Sequence, residues 1–143
     1  MSEDATLTLR SDPKHLATGR RFIEQHAREA GFDDLTVSQI VLAVDEAVTN
    51  IIRYSYDMRP DGEIELKIKS SKEDFTVLLR DYGKTCDPEK IKPRPLEEIR
   101  PGGLGTHFIR TVMDEVKYAC KNPGTELIMV KKRSGSPKDL SRK

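Results

Sequence analysis

A surplus of one charge, cysteine and long apolar runs are all scarce in this 143-residue chain, and each scarcity excludes something. Lys and Arg number 25 against 24 Asp and Glu. A protein built around nucleic-acid phosphates would carry a basic surplus, and aromatics at 6% offer little for stacking bases, so no nucleic-acid partner is expected. Cys86 and Cys120 stand far apart, without CxxC spacing or a histidine cluster. That argues against a zinc site and a disulfide framework, and leaves reduced cysteines as the expectation. No apolar stretch follows the acidic start Met1-Ser2-Glu3-Asp4, so no secretory leader is expected. Nor does any run approach the roughly 20 apolar residues that cross a bilayer. The expectation is a cytoplasmic protein with no membrane partner.

What is present fits one domain over residues 1–133, followed by a basic, solvated tail over 134–143. Thr6-Leu7-Thr8-Leu9 alternates as a short strand. Asp12-Pro13 then offers a helix cap and a first-turn proline, with Leu16, Arg20, Ile23, Ala27 and Ala30 at helical spacing before Gly31. A second helix is predicted from about Leu35 to Tyr54. Beyond the turn Pro60-Asp61-Gly62 the period becomes two, and Ile64, Leu66 and Ile68 followed by Phe75 to Leu79 predict an antiparallel hairpin. Asp81 to Pro101, rich in Pro, Gly and charge, reads as a lid or a plain connector. A helix over Thr106–Met113 and strands at Val116–Cys120 and Leu127–Val130 complete the order β-α-α-β-β-loop-α-β-β. Strands that come in hairpins predict an α+β fold: a two-layer α/β sandwich with a mostly antiparallel mixed sheet and helices on one face.

Three segments carry chemistry: Asp45-Glu46-Ala47-Val48-Thr49-Asn50, Asp81-Tyr82-Gly83-Lys84 and Gly102-Gly103-Leu104-Gly105. On a wheel at about 100° per residue, Asn50 falls about 40° from Glu46 and Arg53 about 20° on its other side. The apolar Ile40, Val41, Val44, Val48 and Ile51 lie opposite. Such a stripe is either a solvated face or a base, an oxygen ligand suited to Mg²⁺ and a cation. Asp81, ending an apolar strand, can accept a hydrogen bond from an amino group such as adenine's, and Gly83 lets a planar ligand approach the backbone. The alternative is an ordinary strand end and turn. Glycines running into a helix expose N–H groups to an anion, phosphate above all, although they equally suit a flexible turn. Neither a Walker A loop nor GxGxxG is present.

With these residues placed, the chain resembles the GHKL ATP-binding fold of gyrase, the heat-shock chaperone, mismatch-repair ATPases and histidine kinases. Glu46-Ala47-Val48-Thr49-Asn50 looks like its N box, Asp81-Tyr82-Gly83 its first glycine box and Gly103-Leu104-Gly105 its second. Gly124-Thr125-Glu126-Leu127 resembles the late strand whose Thr helps hold adenine. Thr85 departs from the pattern, because many relatives carry a second glycine there. Within the superfamily the chain is most similar to the anti-sigma-factor serine kinases, through Glu-Ala-Val-Thr-Asn and the run from Pro95 to Gly105. The resemblance implies that Glu46 is the general base and Asn50 the Mg²⁺ ligand. It also implies that Asp81 binds adenine with Thr125 helping, and that Gly103 and Gly105 line the phosphate path beneath a lid; Gly83, Gly102, Leu104 and Thr106 are further candidate cofactor-binding residues. Arg53 comes from the wheel alone, as a phosphate or partner contact.

The implied function is an ATP-dependent protein serine kinase that phosphorylates a STAS-like anti-sigma-factor antagonist and sequesters a sigma factor, as a homodimer. The alternative is a non-catalytic ATP-binding module that sequesters a protein partner. Glu46 argues against the alternative, since a pure binder needs no base.

Overall fold

Period-two patterning becomes a five-stranded sheet with spatial order β1-β2-β3-β5-β4 in the computed structural model, which describes residues 3–84 and 103–133. The strands are β1 (Glu3–Arg10), β2 (Glu63–Ser70), β3 (Asp74–Asp81), β4 (Glu115–Cys120) and β5 (Thr125–Lys132). Every neighbouring pair is antiparallel, so the sheet is not mixed among the described residues. For β2–β3 and β4–β5 that follows from hairpin connections, while β1–β2 and β3–β5 pair antiparallel across intervening helices. The inward set Ile64, Leu66, Phe75, Val77, Leu79 and Met129 is 0% exposed. Each such aliphatic side chain contributes about 1.5–3 kcal/mol by leaving water.

Three helices cover that face: α1 (Leu16–Glu29), α2 (Asp34–Asn50) and α3 (Gly103–Val112). Asp12 caps a single 3₁₀ turn, Pro13–His15, before α1 begins, and the chain leaves α1 through Gly31 at φ +95°. Asp33 caps α2, its carboxylate accepting the Thr36 N–H at 2.8 Å; hydrogen bonds from the Thr36 hydroxyl and then this N–H pull its pKa below the ordinary value. Arg20 on α1 bridges to Asp45 on α2 at 3.1 Å. Lys131, 0% exposed at the inward end of β5, donates to the Val112 carbonyl at 3.0 Å and so fixes the C-terminus of α3.

Three expectations need correction. The second helix is α-helical only to Asn50; Ile51–Ser55 forms a π-helical turn, with Tyr56 just beyond it. Together the stretch Asp34–Ser55 spans 22 residues and contains an 18-residue window of mean hydropathy 1.4, long and apolar enough to cross a bilayer by those measures. Its apolarity serves the core, where Val37, Ile40, Val44, Val48 and Ile52 are all at most 3% exposed. Cys120 is disulfide-bonded rather than reduced, while Cys86 lies outside the described residues. Cysteine spacing along a chain carries no information on which sulfurs folding brings together. Of the expected lid, Asp81–Pro101, residues 85–101 lie outside the described residues, as does the basic tail (134–143).

Candidate functional site

Asp81 owes its position to the alternation of β3. Phe75, Val77 and Leu79 point inward, and Asp81 is the next inward residue, 1% exposed. A carboxylate is therefore delivered beneath the helices at one end of the sheet. Its Oδ1 accepts the Gly83 N–H at 3.0 Å, the Ser55 hydroxyl lies 3.4 Å from Oδ2, and the Thr125 N–H also donates to it. Burial pushes its pKa above the ordinary 3.8, while these donors and the Arg80 charge pull the other way. Thr125 shares the inward phase of Leu127 and Met129, and Arg80 pairs with Glu126, so Thr125 lies beside Asp81 at the same sheet end.

Gly83 is needed for a different reason from the one expected. A Cβ there would overlap the Ser55 carbonyl, and Lys84 N–H donates to that same carbonyl at 3.1 Å. The missing Cβ at Gly83 thus lets two backbone segments pass closely.

On α2, Glu46 and Asn50 lie opposite the buried Val44 and Val48 and are themselves partly buried. The Asn50 Oδ1 is buried without a hydrogen-bond partner. A buried, unpaired carbonyl oxygen one turn from a carboxylate suits a hard cation. Among the described residues no three His, Cys, Asp or Glu gather, so such a cation would rely on Asn50, water and phosphate oxygens.

Arg53 does not continue this pair. The 100° wheel ends at Asn50, because the π turn changes the angular step. Arg53 is exposed, its guanidinium 5.9 Å from the Tyr54 ring centroid. The glycine segment also differs from expectation. Helix α3 begins at Gly103 rather than Thr106, so Gly103, Leu104 and Gly105 form its first turn, with Thr106 following; Gly102 lies outside the described residues. First-turn N–H groups have no intrahelical acceptor, which keeps the anion-binding argument intact. Helix α3 packs on α2, bringing this turn's helix beside the one carrying Glu46 and Asn50. Sequence reading missed Ser55 and Tyr56, which touch the Asp81 loop, because a π turn has no side-chain period to recognise.

An antiparallel sheet covered on one face by helices, with a buried strand-end carboxylate and an acid–amide pair on the central helix, defines an α+β sandwich of the GHKL type. The chain belongs to the histidine kinase-like ATPase domain family, whose profile matches residues 9–131. It is 30% identical over 139 residues to the serine-protein kinase RsbW of Listeria innocua serovar 6a, covering 92% of this chain and 88% of that one. It is 33% identical over 101 residues to the anti-sigma F factor of Clostridium novyi, covering 67% and 71% respectively. Among solved structures, the RsbU and RsbW domains of Rv1364c from Mycobacterium tuberculosis superimpose with a TM-score of 0.65 at 16% identity, over 90% of this chain and 31% of that one. The histidine kinase domain of the Erythrobacter litoralis EL346 blue-light activated kinase gives 0.56 at 22% identity, over 70% and 46%. These two likenesses concern the fold.

Proposed function

We propose that this chain is an ATP-dependent protein serine kinase and anti-sigma factor, which phosphorylates an anti-sigma-factor antagonist and sequesters a sigma factor. The observation that carries the reading is Glu46 one turn from Asn50, whose buried oxygen lacks a partner, on a helix packed against α3. The names of the relatives, serine-protein kinase and anti-sigma F factor, support the same reading.

The residues divide the work along the helix. Asp81 accepts from the exocyclic amine of adenine, with Thr125 beside it. N–H groups in the first turn of α3 receive phosphate oxygens, where the helix dipole favours negative charge. Mg²⁺ would be held by Asn50 and water, and would supply neutralisation of the charge that develops on the phosphates. Glu46 takes the proton of the substrate serine as its oxygen bonds to the γ-phosphorus and the bond to ADP breaks. Catalysis rests on positioning and charge more than on covalent chemistry.

The antagonist is a STAS-like protein presenting a serine, the assembly is a homodimer and the compartment the cytoplasm, all supported by the resemblance. Sigma and antagonist compete through the nucleotide state, so each partner weakens the other by one coupling free energy. The reading is tested by titrating Mg-ATP into wild type, Glu46→Ala and Asn50→Ala. Glu46→Ala should bind like wild type and Asn50→Ala more weakly; unchanged Mg-dependent affinity in Asn50→Ala would remove the cation assignment.

A further inference from the structure

We propose that Tyr56 is the positioning residue for base recognition, holding the loop that carries Asp81 so that the carboxylate meets an adenine amine. This rests on the reading of Asp81 as the residue that binds the base.

The ladder between β2 and β3 ends at the pair Ile64 and Asp81. The next pair in that register would be Glu63 with Tyr82, yet the ladder does not continue. The Tyr56 hydroxyl stands in its place, donating to the Glu63 carbonyl at 2.5 Å and accepting the Tyr82 N–H at 2.7 Å. Both directions are fixed by chemistry, since a carbonyl can only accept and an amide N–H can only donate. One phenol oxygen thus replaces a rung of the sheet, directly after the residue assigned to the base.

The consequence is local and directional. Released from the ladder, the chain turns at Tyr82, Gly83 passes against the Ser55 backbone and its N–H reaches Asp81 Oδ1 at 3.0 Å. Tyr56 cannot drift, because it is 5% exposed and its ring packs on Gly62, where any Cβ would overlap it. Burial pushes the phenol above its ordinary 10.0, so it stays a donor across the neutral range. Tyr82 is held a second time, by its hydroxyl at 2.5 Å from Glu65 Oε1 and by Arg80 4.2 Å from its ring centroid. Those outer contacts position the Tyr82 side chain; the Tyr56 contact positions the backbone that follows Asp81.

The test compares Mg-ADP with purine riboside 5′-diphosphate, which lacks the exocyclic amine, by calorimetric titration of wild type, Tyr56→Phe and Ser71→Ala. Ser71, which accepts the Asp74 N–H at 3.2 Å at the other end of the hairpin, serves as the structural control. Wild type should prefer ADP by on the order of tenfold or more, the penalty for leaving a buried carboxylate unpaired. Tyr56→Phe should lose about three- to tenfold in ADP affinity, the scale of one hydrogen bond, and little for the analogue. Its preference should therefore shrink, while Ser71→Ala keeps the wild-type ratio. An unchanged ratio in Tyr56→Phe would make the residue merely structural and overturn the proposal. Equal binding of both nucleotides by wild type would overturn the Asp81 reading itself, and that outcome is visible without any variant. Amide exchange adds a check on the folded wild type: Tyr82 N–H, beyond the end of β3, should be protected, and rapid exchange there would contradict the geometry.

Discussion

Asp81 is a buried carboxylate at the end of an apolar strand, and the role proposed for it at the base sets its burial against that use. It is 1% exposed, and burial raises its pKa above 3.8 despite three donors. A carboxyl with a raised folded-state pKa stabilises most below its unfolded pKa, and that contribution is lost as pH rises through the folded value. Asp81→Asn should therefore melt no lower than wild type near neutral pH, with any advantage shrinking as pH falls toward the ordinary carboxylate range, while its nucleotide affinity drops. A melting temperature well below wild type at neutral pH would contradict the burial argument. Glu46 makes the complementary prediction. Removing a general base costs about 10²–10⁴ in rate, so Glu46→Ala should bind ATP and fail to transfer phosphate. Both residues were legible in the sequence, Asp81 because strand alternation ends on it and Glu46 because the α-helical wheel holds as far as Asn50. Arg53 was misplaced because that wheel was carried into a π turn.

At the scale of elements, the pattern decides what sequence can reveal. Each strand and helix of the expected order is present, since Ile64, Leu66 and Ile68 alternate, Asp12 caps the 3₁₀ turn that leads into α1, and Asp33 caps α2. What escaped depends on contacts made to the backbone, such as the Tyr56 hydroxyl in a ladder rung and Gly83 against Ser55. No periodicity encodes those. The start of α3 escaped too, because glycine is equally at home in a loop and in the first turn of a helix. The cap of α2 gives a direct test of the element that carries Glu46 and Asn50. Asp33 has its pKa lowered by the Thr36 hydroxyl and N–H, so its contribution is present above the unfolded pKa and lost as pH falls through the folded one. Asp33→Ala should lower the melting temperature at neutral pH and converge on wild type in acid. An equal loss at both extremes would assign the cost to something other than the charged cap.

Taken whole, the molecule is a one-sided sheet whose covered face is core and whose end is site. Leu66 at 0% exposure holds the middle, and Leu66→Ala should cost about 2–5 kcal/mol in denaturant unfolding, the range for a buried leucine. A loss below about 1 kcal/mol would mean that the sheet and helices are less tightly packed than the burial indicates. One continuous helical segment, Asp34–Ser55, carries Glu46 and Asn50 and reaches Asp81 at its end through the Ser55 hydroxyl, so the base-reading and chemical roles proposed for Asp81 and Glu46 are linked by one element. The central claim is that this arrangement transfers phosphate to a protein serine. The measurement that tests it is transfer of labelled γ-phosphate from Mg-ATP into small proteins of the native cytoplasm, wild type beside Glu46→Ala, with antagonist pools first dephosphorylated. The account predicts a labelled, serine-phosphorylated small protein with wild type and none with Glu46→Ala. ATP binding without any labelled protein, or equal labelling by both forms, would contradict it.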